Sequence, residues 1–394
     1  MVAVSTSMRL SKNIKISGPG SIHINRTPKC AAKIIKEIDS LEIVKEIKEL
    51  DKIKSLLSKK KFKNKNLVFF GLGGSSLGIK TIVESLNHKA KFKNSIYIID
   101  NVDGEYFEEI FNEINIKFTN FIFISKSGDT FEIKNLLTET LKKIKLKGIK
   151  INSCLYFITE NNNGYLNKFA RKNNIETFHV NPNIGGRFSV LSKSSLVPCE
   201  MMNIKWKEII SAAISCYELH YFEGFKRINY LANFYYKNLL KNKSNTGLIS
   251  YKNNLNSFGE WFMQLWGESL GKTRNDGVEI GLTPSRYLGP KDQHSQLQLI
   301  LDGPKDKTIT LLYAENSISG NKSLHKSVLK EKLATSLALD KKRVPHVELE
   351  MKLLDEKVLG ELFLIFELTT ILLAKKMKIN AFDQPAVELI KKYL

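Results

Sequence analysis

The chain has 394 residues, with 61 basic against 40 acidic side chains for a formal net charge of +21, and is 42% apolar and 26% charged. That balance belongs to a globular protein long enough for two or three ordinary domains, and it excludes disordered and fibrous classes. So basic a chain raises nucleic acid or an anionic membrane as partners, yet nearly all the excess is lysine dispersed beside only eight arginines, which reads as a solvated surface.

The opening MVAVSTSMRL lacks the apolar core of a secretion signal, and Met8 offers an alternative start. Residues 1–54 read as a helical N-terminal segment. Lys59, Lys60, Lys61, Lys63 and Lys65 then precede the first strand, and with no nucleic-acid motif near them they read as a linker or an exposed helix end. Over 55–200 the pattern is that of an α/β domain. Strands are expected at 66–70 (NLVFF), 95–100 (SIYIID), 120–125 (NFIFIS) and 154–159 (CLYFIT), with the less apolar ETFHV (176–180) as a fifth. Helix-like stretches alternate with them, which gives a parallel sheet covered on both faces.

The first of these strands runs into Gly71, Gly73, Gly74, Ser75, Ser76 and Gly78. A strand feeding a glycine-rich turn at a helix start aims backbone N–H groups and the positive end of the helix dipole at one point, where an anion can sit. The turn imitates a dinucleotide fold, with Asp100 after the second strand in the place of a ribose-binding acid. However, the third glycine of G-x-G-x-x-G should fall where Ser76 stands, and two hydroxyls suit a phosphate monoester better than a pyrophosphate. A second such turn follows the third strand: Ser125, Lys126, Ser127, Gly128, Asp129 and Thr130 open a helix with three hydroxyls and a cation. An ordinary helix start with Ser127 or Asp129 as N-cap and Glu132 in the first turn would use the same residues. Both turns end strands of one parallel sheet, and ligands bind at the carboxyl ends of such strands.

The loop NPNIGGRFSVLS (181–192) closes this domain, residues 201–240 read as a helical connection, and a second α/β domain is expected over 241–375. Its strands are LISY after Gly247, ITLLY (309–313) and HVELEMKLL (346–354), with a helix through Trp261 and Trp266. In that helix Glu260, Gln264, Glu268 and Lys272 recur every fourth residue beside an apolar stripe of Phe258, Trp261, Phe262 and Leu265. Without other context this is a solvated face with i,i+4 pairs. The apolar stretch Val358 to Ala374 is broken by Glu361 and Glu367, too short an unbroken run for a bilayer, and reads as a buried helix. A C-terminal arm, 376–394, carries Val387, Leu389, Ile390 and Leu394 as packing positions. Cys30, Cys154, Cys199 and Cys216 lie far apart and the histidines are dispersed, so no metal-ligand spacing is present and the cysteines read as reduced core residues.

SKSGDTFE (125–132) beside GLGGSSLG (71–78) resembles the sugar-phosphate isomerase (SIS) domain. With GGRFSVLS (185–192), QLWGESLGK (264–272), DQHSQ (292–296) and FDQPAVELIK (382–391), in that order over 71–391, the chain resembles the phosphoglucose isomerase family. The resemblance implies an α/β fold of two doubly wound, mainly parallel-sheet SIS-type domains with helices on both faces and a C-terminal helical arm. It also implies reversible isomerisation of glucose 6-phosphate and fructose 6-phosphate through a cis-enediol(ate), in glycolysis and gluconeogenesis, in the cytoplasm, without metal or organic cofactor.

By the same resemblance Glu268 is the base that moves a proton between carbons 1 and 2, a task for a carboxylate that accepts and returns it. Arg187 stabilises the enediolate oxygen with a permanent charge. His294 opens the sugar ring with Lys391 and is donated by the partner of a homodimer. Gln264 and Gln384 hold substrate or order the site, and Gly74, Ser75, Ser125, Lys126, Ser127 and Thr130 take the phosphate. One departure is Asp129, where the family carries a neutral residue: its carboxylate should repel a phosphate unless it points away or caps the helix. Two alternatives stay open. One is an isomerase that also accepts mannose 6-phosphate; the other is a non-catalytic sugar-phosphate sensor, which has no use for Glu268, Arg187, His294 and Lys391 together.

Overall fold

The fold is that of a computed structural model describing residues 6–18, 28–57, 62, 66–86, 95–318, 320–391 and 393, with Thr6, residues 28–31 and Lys391 as backbone alone. Cys30 and the lysine run at 59–65 therefore lie outside the described side chains. The chain divides into two compact units, one of Met1–Leu41, Glu84–Lys89 and Lys207–Leu389, the other of Glu42–Val83, Ala90–Trp206 and Ile390–Leu394.

In chain order the elements are a hairpin of β1 (Thr6–Arg9) and β2 (Ile14–Gly18), then α1 (Pro28–Asp39) and α2 (Glu42–Lys52). Strand and helix next alternate as β3 (Asn66–Phe70), α3 (Gly74–Leu86), β4 (Ile96–Ile99), α4 (Gly104–Glu113), β5 (Thr119–Ile124), α5 (Phe131–Leu146), β6 (Leu155–Glu160), α6 (Tyr165–Asn173) and β7 (Glu176–Val180). Three helices follow, α7 (Lys193–Met201), α8 (Trp206–Phe222) and α9 (Lys226–Leu239). The remainder is β8 (Asn245–Ser250), α10 (Asn256–Leu270), β9 (Lys272–Thr273), β10 (Glu279–Ile280), β11 (Thr283–Leu288), α11 (Leu297–Asp302), β12 (Lys307–Ala314), α12 (Lys322–Lys341), β13 (His346–Met351), α13 (Glu356–Met377) and α14 (Glu388–Lys391).

The sheet of the Glu42–Trp206 region has the order β4-β3-β5-β6-β7, parallel throughout. Its inner strands are continuous apolar runs because helices cover both faces, and Phe70 stacks on Phe123 with ring centroids 4.2 Å apart. All five strands read from the sequence are present. The first strand sits inside the sheet with the second on one side and the third on the other, so the order reverses between β3 and β5, the position at which such folds bind ligands.

The second sheet, β1-β2-β13-β12-β8-β11, repeats this winding: β11-β8-β12-β13 corresponds to β4-β3-β5-β6. Where the first sheet has β7, this one has β2, antiparallel to β13 with Ile16 opposite Leu349 and Ile14 opposite Met351. The expected helical segment 1–54 is thus corrected. Residues 6–18 form a hairpin, because Ile14 and Ile16 alternate with polar neighbours and bury one face. Buried Glu361 secures the turn by accepting from Ser11 Oγ at 2.5 Å and from Asn13 Nδ2 at 2.9 Å.

β11 also went unread, since TPSRYL is a polar edge strand with a proline and no apolar run. The Val358 to Ala374 stretch is a buried helix, α13, and no helix among the described residues is long and apolar enough to cross a membrane. The C-terminal arm differs from expectation in its packing: its described residues include the end of α13, a 3-10 turn and α14, and Val387, Leu389 and Ile390 are exposed. Leu394 lies outside the described residues.

Candidate active site

Between β3 and α3 the chain turns through Gly73 at φ +53°, a left-handed conformation that suits glycine. The turn closes on itself: the N–H groups of Ser76 and Leu77 donate to the Gly73 carbonyl at 3.0 and 2.9 Å, and buried Ser76 adds its hydroxyl at 3.1 Å. Ser76, the residue that breaks the dinucleotide pattern, therefore holds the turn together. Asp100, the ribose-acid look-alike, is paired with Lys80 of α3 at 3.2 Å. Ser75 is half-buried at the helix start.

The GGRFS loop comes against this turn. A Cβ on Gly74 would lie 2.1 Å from the carbonyl carbon of Gly186, so two backbones touch where both residues are glycine. Ser189 Oγ spans the contact, donating to the carbonyls of Gly186 at 2.7 Å and Gly74 at 3.3 Å. Arg187, in the one-turn helix Gly186–Phe188, is only 2% exposed, with its guanidinium 5.5 Å from the Phe188 ring centre.

After β5, Gly128 at φ +72° folds the second loop so that its N–H donates to Ser125 Oγ at 3.1 Å, while Ser125 and Thr130 hydroxyls lie 2.8 Å apart. Neither Ser127 nor Asp129 is the N-cap; that place belongs to Thr130. The β6–α6 connection braces the loop from behind, with Thr159 Oγ1 donating to the Lys126 carbonyl at 3.1 Å and Asn162 Nδ2 to that of Ser127 at 2.8 Å. Asp129 turns toward that brace, accepting the Tyr165 N–H at the start of α6 at 3.2 Å and lying 3.0 Å from Lys134 Nζ. Partial burial raises its carboxyl pKa, but the bonds from Lys134 and Tyr165 outweigh this and hold it below the ordinary carboxylate value. All six phosphate-loop candidates and Arg187 thus belong to one unit.

Glu268, Gln264, Gln384 and His294 belong to the other. Phe258, Trp261, Phe262 and Leu265 bury one side of α10 against α13, with Trp261 and Phe363 ring centres 5.0 Å apart. That packing fixes the polar side. Gln264 Nε2 donates to Glu268 Oε1 at 2.9 Å, and half-buried Glu268 lines a cleft of about 1110 Å³ together with Gln384, Lys272, Arg274 and Lys378. Lys272 lies beyond the end of the helix, in β9, and its partner is Asp383 rather than a residue one turn back. Spacing suggested an i,i+4 stripe, and only a fold could show a contact between residues so far apart in sequence.

His294 ends the one-turn helix Lys291–His294 after β11 and is exposed. Its loop is fixed by its neighbours, Asp292 Oδ2 accepting the Leu288 N–H at 2.7 Å and Gln293 Nε2 donating to Thr335 Oγ1 at 2.7 Å and Tyr251 Oη at 3.1 Å. His294 does not line the Glu268 cleft. Lys391 closes α14, and its side chain is outside the described set. Among the described residues no group of three or more His, Cys, Asp or Glu is placed to hold a metal ion.

Known proteins share this chain's pattern. The family described as Phosphoglucose isomerase matches residues 33–352. A glucose-6-phosphate isomerase of Campylobacter jejuni subsp. jejuni is 32% identical over 343 residues, covering 83% of this chain and 84% of that protein. Another, of Methanocaldococcus jannaschii, is 33% identical over 356 residues, covering 85% of each. The crystal structure of a glucose-6-phosphate isomerase from Chlamydia trachomatis superposes with a TM-score of 0.78 at 20% identity, covering 97% of this chain and 87% of that one, a likeness of fold.

Proposed function

The chain belongs to the phosphoglucose isomerase family, and from that membership we propose how its own residues carry the reaction. It is an isomerase that reversibly interconverts glucose 6-phosphate and fructose 6-phosphate, the step shared by glycolysis and gluconeogenesis. In our reading Gly74, Ser75, Ser125, Lys126, Ser127 and Thr130 bind the phosphate. His294 and Lys391 open the sugar ring, Glu268 shuttles the proton between carbons 1 and 2, and Arg187 stabilises the enediolate oxygen. Gln264 and Gln384 orient base and substrate. No metal or organic cofactor enters the scheme.

One observation carries the assignment of the base. Glu268 is held at 2.9 Å by Gln264 in a cleft that Gln384 also lines, so the carboxylate is oriented before substrate arrives. Burial of Arg187 supports its role, because a guanidinium withdrawn from water and permanently charged acts strongly on a developing oxyanion. Exposure of His294, away from the Glu268 cleft, supports donation to a second subunit in a homodimer. A glycolytic role supports a cytoplasmic location.

Incubation with fructose 6-phosphate in heavy water, followed by NMR, tests the scheme. Deuterium is expected at carbon 2 of glucose 6-phosphate; label in mannose 6-phosphate as well would widen the substrate range, and label in neither would leave a binding protein. Glu268→Gln should lower kcat by roughly 10²- to 10⁴-fold, the usual share of general acid–base catalysis, while inhibition by inorganic phosphate persists. Parent-like turnover in that variant would overturn the assignment.

A further inference from the structure

We infer that Lys272 is a positioning residue for the isomerisation, fixing the segment that presents Gln384 to the cleft lined by Glu268. The inference rests on the reading of Glu268 and Gln384 as groups that meet the substrate. Its observations are separate.

Two structures fix the backbone of Lys272. α10 ends at Leu270, where the Gly271 N–H reaches back to the Gly267 carbonyl at 3.3 Å, and Lys272 pairs with Ile280 in the β9–β10 ladder. From this base the side chain reaches Asp383, 111 residues on, with Nζ 2.9 Å from Oδ1 and a second bond to the Asp383 carbonyl oxygen. The lysine side chain is 7% exposed and that of Asp383 is 51% exposed. An ammonium so far withdrawn from water needs fixed acceptors, so the lysine is the demanding member of the pair.

Everything after the anchor is short. Asn380 Nδ2 donates to Asp383 Oδ2 at 3.1 Å and Asn380 Oδ1 accepts the Phe382 N–H at 2.9 Å, bracing the turn before Gln384. Pro385 opens the one-turn helix Pro385–Val387 directly after it, with the Val387 N–H on the Gln384 carbonyl at 3.2 Å. Gln384 therefore stands between a proline-led turn and the residue that Lys272 grips twice. Since Lys272 follows Glu268 by four residues, one rigid stretch of chain sets both the base and the glutamine segment.

The test compares Lys272→Met, Lys272→Arg, Gln384→Ala and the Lys272→Met/Gln384→Ala pair on fructose 6-phosphate, with inorganic phosphate as inhibitor. Displacement of a substrate-holding group by about 1 Å costs up to roughly 10²-fold, so Lys272→Met should lower kcat/KM by about tenfold or more and Lys272→Arg should recover part of it. Phosphate inhibition should stay at the parent value, which a general loosening of the fold would not allow. In the Gln384→Ala background Lys272→Met should add less than about twofold, since both changes act through one group. Parent kcat/KM in Lys272→Met, or fully multiplicative losses in the pair, overturns the inference. Parent activity in Gln384→Ala alone overturns instead the reading on which it rests. Should Lys272→Met not fold, Asp383→Asn at the half-exposed partner replaces it, with the same loss expected in the parent and the same disappearance in Gln384→Ala; an unchanged kcat/KM there overturns the inference too.

Discussion

Asp129 shows how a residue that sequence makes suspect can be turned aside by its neighbours. A carboxylate in a phosphate loop should repel the ligand, but this one serves the N-terminus of α6 and Lys134. Exposed ion pairs and helix-terminus charges are each worth up to about 1 kcal/mol. Asp129→Asn should therefore cost no more than about 2 kcal/mol in unfolding and leave KM for fructose 6-phosphate within about twofold. Because its folded pKa is depressed, that contribution is present above the unfolded carboxylate value and lost as pH falls through the folded one. A KM about tenfold lower in the variant would mean that the carboxylate does face the phosphate. Glu367 is the opposite case. It is fully buried in α13, neither carboxylate oxygen has a partner among the described residues, and burial raises its pKa well above the ordinary value. The folded state holds the proton, so stability is whole below the unfolded pKa of about 4.3 and declines as pH rises above it. Thermal unfolding should find Glu367→Gln higher-melting than the parent at pH 8 and level with it near pH 4; equal melting at both would show that the carboxyl has a partner.

At the scale of elements, the glycine turns divide into those that need glycine and those that tolerate more. A methyl on Gly74 would drive into the backbone of Gly186, whereas one on Gly186 finds its nearest neighbour at 3.5 Å. Gly74→Ala should destabilise by about 1–3 kcal/mol, as overpacking does, and raise KM by moving the turn, while Gly186→Ala should fall within about 0.5 kcal/mol of the parent. Calorimetry and initial rates on the two variants check this, and equal behaviour would contradict the close approach. The turns were legible in the sequence because their chemistry is local: an apolar run, glycines, hydroxyls and a helix start lie within a dozen residues. β3, β5 and the buried α13 were legible for the same reason. What could not be read depended on distant partners. β2 and β11 are strands because β13 and β8 offer them edges, and Lys272 matters through Asp383. Arg187 and Glu268 were legible as candidates only through their motifs, since buried guanidinium and oriented carboxylate are properties of the folded chain.

For the whole molecule, the homodimer we propose turns on where His294 stands relative to Glu268. Within one chain His294 is exposed and does not line the Glu268 cleft, while the loop that carries it is braced by Asp292 and Gln293. Phe382, Val387 and Leu389, near the end of the chain, are also exposed apolar side chains. Our homodimer reading makes a prediction that a single-chain site does not share. Glu268→Gln and His294→Ala subunits should each keep only a small residual activity alone. Dissociated, mixed in equal amounts and reassociated, they form mixed dimers in about half of the cases, and in each mixed dimer one of the two sites receives an intact Glu268 from one subunit and an intact His294 from the other. Activity should return to about a quarter of the parent value. If His294 serves the Glu268 of its own chain, every site in the mixture lacks one group, and the activity stays at the sum of the two variants.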